Sequence, residues 1–272
     1  CRRADDCMLT RLLVILVLIG RAAAQSAPAS PDVQSPADVA LSRYAAKQVA
    51  GWTVLVHPEA EALDVMRYRR VMAALAFDLE SVSREIPPDA LAAIRGVKIV
   101  VTPRMHARDG LSGRGMCYHD SAGWLTTHGL DAARQGVVEI CNMEDFLAWR
   151  AEQPLMTLHE LAHAYHAMIG FDRPDVAAAY SAARTLGQYR GVEYALAGPH
   201  ERRDAYALTN EREYFAELSE AYFGRNDFFP FTRDDLRRYD VGGFTVVQSL
   251  WGLSAAEITA AQGSAAPTGA VK

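Results

Sequence analysis

The sequence predicts an α+β fold in which a few short strands precede a mostly helical C-terminal part. Three observations predict it. Short β-branched and apolar runs at 52–56, 97–102 and 137–141 read as strands, and the first two flank a long helical stretch at 59–85. From residue 153 onward the apolar spacing is helical through most segments. Two of those helices, 153–170 and 210–223, carry dense clusters of histidine and glutamate.

The chain has 272 residues and is 50% apolar, enough for a substantial core. Its formal net charge is -5, and removing residues 1–24, with four Arg and two Asp, makes it more acidic still. Lysine occurs only at 47, 98 and 272, and no basic stripe tracks a phosphate backbone, so nucleic acid is not an expected partner.

Met8 to Ala24 has the pattern of a signal peptide: Arg11, an apolar run from Leu12 to Ile19, then Ala22-Ala23-Ala24. Residues 1–24 are therefore read as a signal peptide with an upstream extension, cleaved near Ala24/Gln25. The apolar run is too short to span a bilayer comfortably, so no stable membrane insertion is expected after cleavage. A secreted or periplasmic location follows. Cys1 and Cys7 fall in the leader, and the remaining pair, Cys117 and Cys141, is expected to form one disulfide in an oxidising compartment.

Residues 25–37, rich in Ser, Ala and Pro, read as a disordered spacer, and 38–254 as the folded domain. A short helix is expected over 38–50. Strand 52–56 ends at His57-Pro58. Helix 59–85 has apolar residues at Leu63, Met66, Val71, Leu75 and Leu79, and Ile86-Pro87-Pro88 stops it. Asp89 is expected to cap a helix to Ile94, and strand 97–102 completes a small α/β lobe, 51–102, ahead of a catalytic part, 103–254. Residues 103–121 read as a glycine-punctuated loop. Strand 137–141 is expected as an edge with which a substrate chain could pair.

Helix 153–170 ends at Gly170, a C-cap residue. A helix over 174–188, a hairpin-like segment around Gly198-Pro199, helix 210–223 and two short helices near 234–239 and 244–251 follow. From about Ala255 the residues are small and polar and read as a disordered tail to 272.

The chemistry concentrates in His159-Glu160-Leu161-Ala162-His163. Residues four apart share one face of a helix, so the two imidazoles can grip one metal ion while Glu160 polarises a water beside it. This H-E-x-x-H spacing is the zinc metallopeptidase signature. A third ligand is needed. The H-E-x-x-H-x-x-G-x-x-H extension is absent, because His166 stands at the glycine position and Ile169 at the last histidine. A carboxylate on a second helix is the other option, and Glu213, Glu217 and Glu220 lie on one stripe among aromatic residues. Glu213 also stands at capping-box spacing from Asn210. His166 is read as a partly buried histidine bonded nearby, with a place in the cleft as the alternative.

The segment from Tyr206 through Thr209-Asn210-Glu211-Arg212-Glu213-Tyr214-Phe215-Ala216-Glu217, behind His159-Glu160-Leu161-Ala162-His163, resembles the lethal-factor-like zinc metallopeptidases. It is similar to the protease domain of anthrax lethal factor and to the Mlc titration factor A peptidases. The resemblance covers roughly residues 110–252. It implies a zincin-like domain of gluzincin type holding one Zn²⁺, with His159, His163 and Glu213 as ligands. It implies Glu160 as general base, Tyr206 as the hydroxyl facing the reacting carbonyl, and Glu217 as the carboxylate supporting a ligand histidine. A peptide or protein substrate is expected. The competing readings are a zinc-binding recognition domain without activity and a zinc hydrolase of a non-peptide bond.

Overall fold

Trp52 to Val56 alternates buried and half-buried side chains, as a strand packed on one face requires. In the computed structural model, which describes residues 39–105, 115–195 and 201–265, this strand lies within a mixed five-stranded sheet. The expected leader 1–24 and spacer 25–37 lie outside the described residues. A 3₁₀ turn at Leu41–Arg43 leads into β1 (Ala45–Val49), which pairs antiparallel with β2 (Trp52–Val56). This corrects the helix expected over 38–50. Ala50 and Gly51 have φ of 47° and 91°, two successive left-handed residues that turn the chain into a hairpin. The Ala-Lys-Gln composition of β1 reflects an exposed sheet edge rather than a helix.

The helix expected over 59–85 is two helices, α1 (Ala60–Leu63) and α2 (Val65–Glu85). The break is at Asp64, whose side chain caps α2 by accepting from the Arg67 N–H. Leu63 and Met66 are consequently exposed, whereas Val71, Leu75, Leu79 and Val82 form a buried stripe in the same core as Val54 and Ile99 of the sheet. Helix α3 (Pro88–Ile94) starts with Pro at its first position, without the expected cap from Asp89.

Strand β3 (Ile99–Val101) returns parallel to β2, β4 (Met116–Tyr118) precedes α4 (Ala122–Thr127), and β5 (Val138–Ile140) lies parallel to β3. Sheet order is β1-β2-β3-β5-β4, with β4 antiparallel to β5. Two expectations change. The sheet runs through residue 140, so 51–102 is not a lobe of its own. Strand β5 is interior, and the edge is β4, inside the stretch expected to be a loop.

Helix α5 (Met143–Trp149), capped by Asn142, leads to α6 (Met156–Ile169). Then come α7 (Pro174–Thr185), the short pair β6 (Val192–Glu193) and β7 (Arg202–Arg203), and a 3₁₀ turn at Tyr206–Leu208. Helices α8 (Glu211–Phe223), α9 (Arg233–Tyr239), α10 (Val241–Trp251) and α11 (Ala255–Ala265) complete the described chain. Helix α6 is buried on most of its circumference. Tyr165 stacks on Trp251 at 4.2 Å between centroids, and the Trp251 indole donates to Ser219 Oγ at 2.9 Å, locking α6, α8 and α10 together. Residues 255–265 are helical rather than a disordered tail, because Ile258 enters the core. Among the described residues no helix is long and apolar enough to cross a membrane.

Candidate metal centre

Helix α6 places His159 and His163 one turn apart, their rings 4.7 Å between centroids and nearly perpendicular. Helix α8 supplies the third group from its first turn. Asn210 Oδ1 accepts from the N–H groups of Arg212 and Glu213, at 2.9 and 3.0 Å, which fixes where α8 begins. The Glu213 side chain is not spent on a capping box. Its Oε2 lies 3.1 Å from His159 Nε2 and 3.1 Å from His163 Nε2. Three donor atoms from two helices thus converge on one point, a ligand set for one small cation. Burial opposes ionisation of Glu213, but the two histidine contacts outweigh it and hold its carboxyl well below the usual range. Burial likewise opposes a charged His159, and its contacts to Glu213 and Glu220 prevail, raising its pKa.

The site opens into a cavity of about 690 Å³ whose lining includes Tyr118, Glu160, Tyr206 and Arg212. Glu160 follows the first histidine on α6 and faces this cavity. Its Oε2 accepts from the backbone N–H of Tyr118 at 2.7 Å, so edge strand β4 fixes the carboxylate. Tyr206, on its 3₁₀ turn, is half-exposed and places its ring 6.2 Å from that of His159. Burial, then the charge of Glu213, pushes the Tyr206 hydroxyl upward, which keeps it protonated as a donor. The residues expected at the site are therefore gathered there.

The expected support from Glu217 is a correction. Glu220 Oε1 lies 2.7 Å from His159 Nδ1, whereas Glu217 Oε1 is 3.9 Å away. Gln153 Nε2 donates to the same Glu220 oxygen at 3.2 Å. Glu217 instead accepts from Asn226 Nδ2 at 3.1 Å. Both glutamates are buried, not a solvated face. Asp227 joins them from the aromatic turn after α8, and burial, then the Glu220 charge, raises its pKa to about 7. Glu217 is raised for the same two reasons. The glutamate stripe was visible in the sequence, but Asp227 had no periodicity to mark it.

On the opposite face of β4 and β5 lies a separate buried polar group. Glu139 faces His119 Nε2 at 2.7 Å and accepts from Arg134 Nη1 at 2.5 Å and from Thr102 Oγ1. Burial opposes a charged His119, yet bonds to Cys117 and Glu139 prevail and raise it to about 10. A carboxylate inside the apolar run Val137–Cys141 was the sequence signal for this group. Cys117 and Cys141, the pair expected to form a disulfide, stand beside it with their Sγ atoms 2.7 Å apart. His166 is fully buried between Phe171 and Phe215, with neither ring nitrogen hydrogen-bonded. It is outside the cleft and lacks the nearby bond expected of it. Desolvation, with the charge of His163 next, lowers its pKa to about 3, so it stays neutral.

No family model, curated protein or solved structure matches the chain.

Proposed function

We propose that the protein is an exported zinc metallopeptidase of gluzincin type, with a zincin-like fold, that hydrolyses peptide bonds. The observation that carries this reading is the meeting of His159 Nε2 and His163 Nε2 on Glu213 Oε2, 3.1 Å from each. Tetrahedral zinc with bonds of about 2.0–2.2 Å spaces nitrogen and oxygen donors roughly 3.3 Å apart, which these separations approach within a few tenths of an ångström. Two neutral imidazoles and one carboxylate are a known catalytic zinc donor set.

Bound zinc would polarise the scissile carbonyl and bring the pKa of a water toward neutrality. The rest is the work of the chain. Glu160, held by Tyr118, accepts a proton from the attacking water on its carboxylate and delivers it to the departing amine. Tyr206 donates its hydroxyl to the oxyanion that develops on the reacting carbonyl. Glu220 accepts from His159 Nδ1, which fixes the tautomer with Nε2 free for the ion. An extended substrate lies beside edge strand β4, where Met116 and Tyr118 border the cavity, with the Tyr118 N–H already given to Glu160.

Zinc content and cleavage of a peptide library, measured on the chain from Gln25 onward, test this reading. One zinc per chain, lost in Glu213→Gln and kept in Glu160→Gln, together with cleavage only by the parent, is the expected result. Absence of zinc in the folded parent overturns it. Zinc without cleavage of any peptide replaces it with a recognition domain or a hydrolase of another bond.

A further inference from the structure

Behind His159, on the side away from Glu213, three buried carboxylates crowd together with too few donors. Glu217 anchors one oxygen on Asn226, and Glu220 anchors one on His159 and Gln153. In each case the other oxygen, Glu217 Oε1 and Glu220 Oε2, is buried without a hydrogen-bond partner, and Asp227 Oδ1 is in the same condition. Glu217 is 1% exposed, Glu220 0% and Asp227 9%, so solvent does not compensate them. A buried carboxylate oxygen left unpaired is costly, and it is relieved by a bound cation or by taking up a proton. One donor atom from each of His159, Glu217 and Glu220 lies within 4.8 Å of the others, and Asp227 stands close enough for its charge to act on Glu217 and for that of Glu220 to act on it.

We propose that Glu217, Glu220 and Asp227 hold a second cation, a hard divalent ion of the Ca²⁺ class, behind the histidine of the first site. Each of these carboxylates offers one unpaired oxygen, and oxygen-only donors select hard ions over zinc. The His159 nitrogen on this side is already committed to Glu220, so the second site takes carboxylate oxygens and does not compete for the imidazole. Glu217 and Asp227 also line the cavity, which gives an ion a route in. The inference uses none of Glu213, His163 or Glu160 as ligands and stands apart from the peptidase reading.

Zinc-loaded protein from Gln25 onward is equilibrated with Ca²⁺ and its metal content measured. Tb³⁺ luminescence sensitised by Trp149, which lines the same cavity, then reports binding in solution. The expected result is one Ca²⁺ per chain beyond the zinc, a thermal midpoint that rises with Ca²⁺, and Tb³⁺ binding at least tenfold weaker in Asp227→Asn with its zinc retained. Glu217→Gln, checked for folding by circular dichroism, should weaken Tb³⁺ binding likewise. A folded, zinc-loaded parent that binds neither Ca²⁺ nor Tb³⁺ overturns the proposal and leaves the cluster neutralised by protons. Binding unchanged in both variants overturns it too. Ca²⁺ bound by a parent without zinc would support this site while removing the peptidase reading.

Discussion

The backbone N–H of Tyr118 donates to Glu160 Oε2 at 2.7 Å, so the carboxylate beside the histidine pair is positioned by the edge strand rather than by its own helix. The contact makes Glu160 a fixed element of the cleft wall. Its amide analogue can still accept that bond through its oxygen. Glu160→Gln therefore keeps fold and zinc while losing the proton acceptor. Peptide hydrolysis should fall by about 10²–10⁴-fold, with the urea midpoint unchanged. Loss of zinc in this variant would mean that the carboxylate is structural.

Tyr206 sits on a short turn with its ring toward His159 and its hydroxyl kept protonated by burial and the Glu213 charge. Tyr206→Phe removes one oxyanion donor and little packing, because the residue is half-exposed. We expect kcat to fall by about 10²–10³-fold with KM and zinc content nearly constant. A drop confined to KM would make the hydroxyl a binding group only.

Glu220, not Glu217, takes the hydrogen bond from His159 Nδ1. Glu220→Ala should weaken zinc affinity by roughly 10–100-fold in competition with a chromogenic chelator, and Glu217→Ala by less. Equal losses would return the supporting role to Glu217.

His119 gains Glu139 and Cys117 as partners and is raised to about 10 from an ordinary value of about 6.5. A raised cation contributes its stabilisation fully below the unfolded value and loses it as pH climbs toward the folded one. The parent should thus lose on the order of a few kcal/mol between pH about 7 and about 10 in urea unfolding. His119→Gln should start lower and show a flatter profile over that window. Parallel profiles would place the titration elsewhere.

The histidine helix and the glutamate helix were legible in the sequence because a helix fixes which side chains share a face. His159, Glu160 and His163 needed only that periodicity, and Glu213 needed only the start signal at Asn210. The choice between Glu217 and Glu220 was not legible. Both lie on the same stripe, and the angle at which α8 crosses α6 decides which one reaches the imidazole. Strand β4 is three residues long, too short for an alternation pattern, and the glycines ahead of it read as a loop. Strand β1 is Ala- and Gln-rich, so only its pairing with β2 reveals it. Asp227 and Ile258 gain their places from tertiary contacts that no local pattern records.

The donor set is divided between two helices, with Glu213 fifty residues beyond His163. Neither helix alone can retain an ion, since two imidazoles lack the carboxylate and the carboxylate lacks the imidazoles. A chain ending before α8 would hold no centre at all, and one that has misplaced α8 against α6 would lose it as completely. On the proposed reading, metal occupancy would therefore be an inspection of finished tertiary structure, and hydrolysis would begin only in molecules that have already assembled correctly.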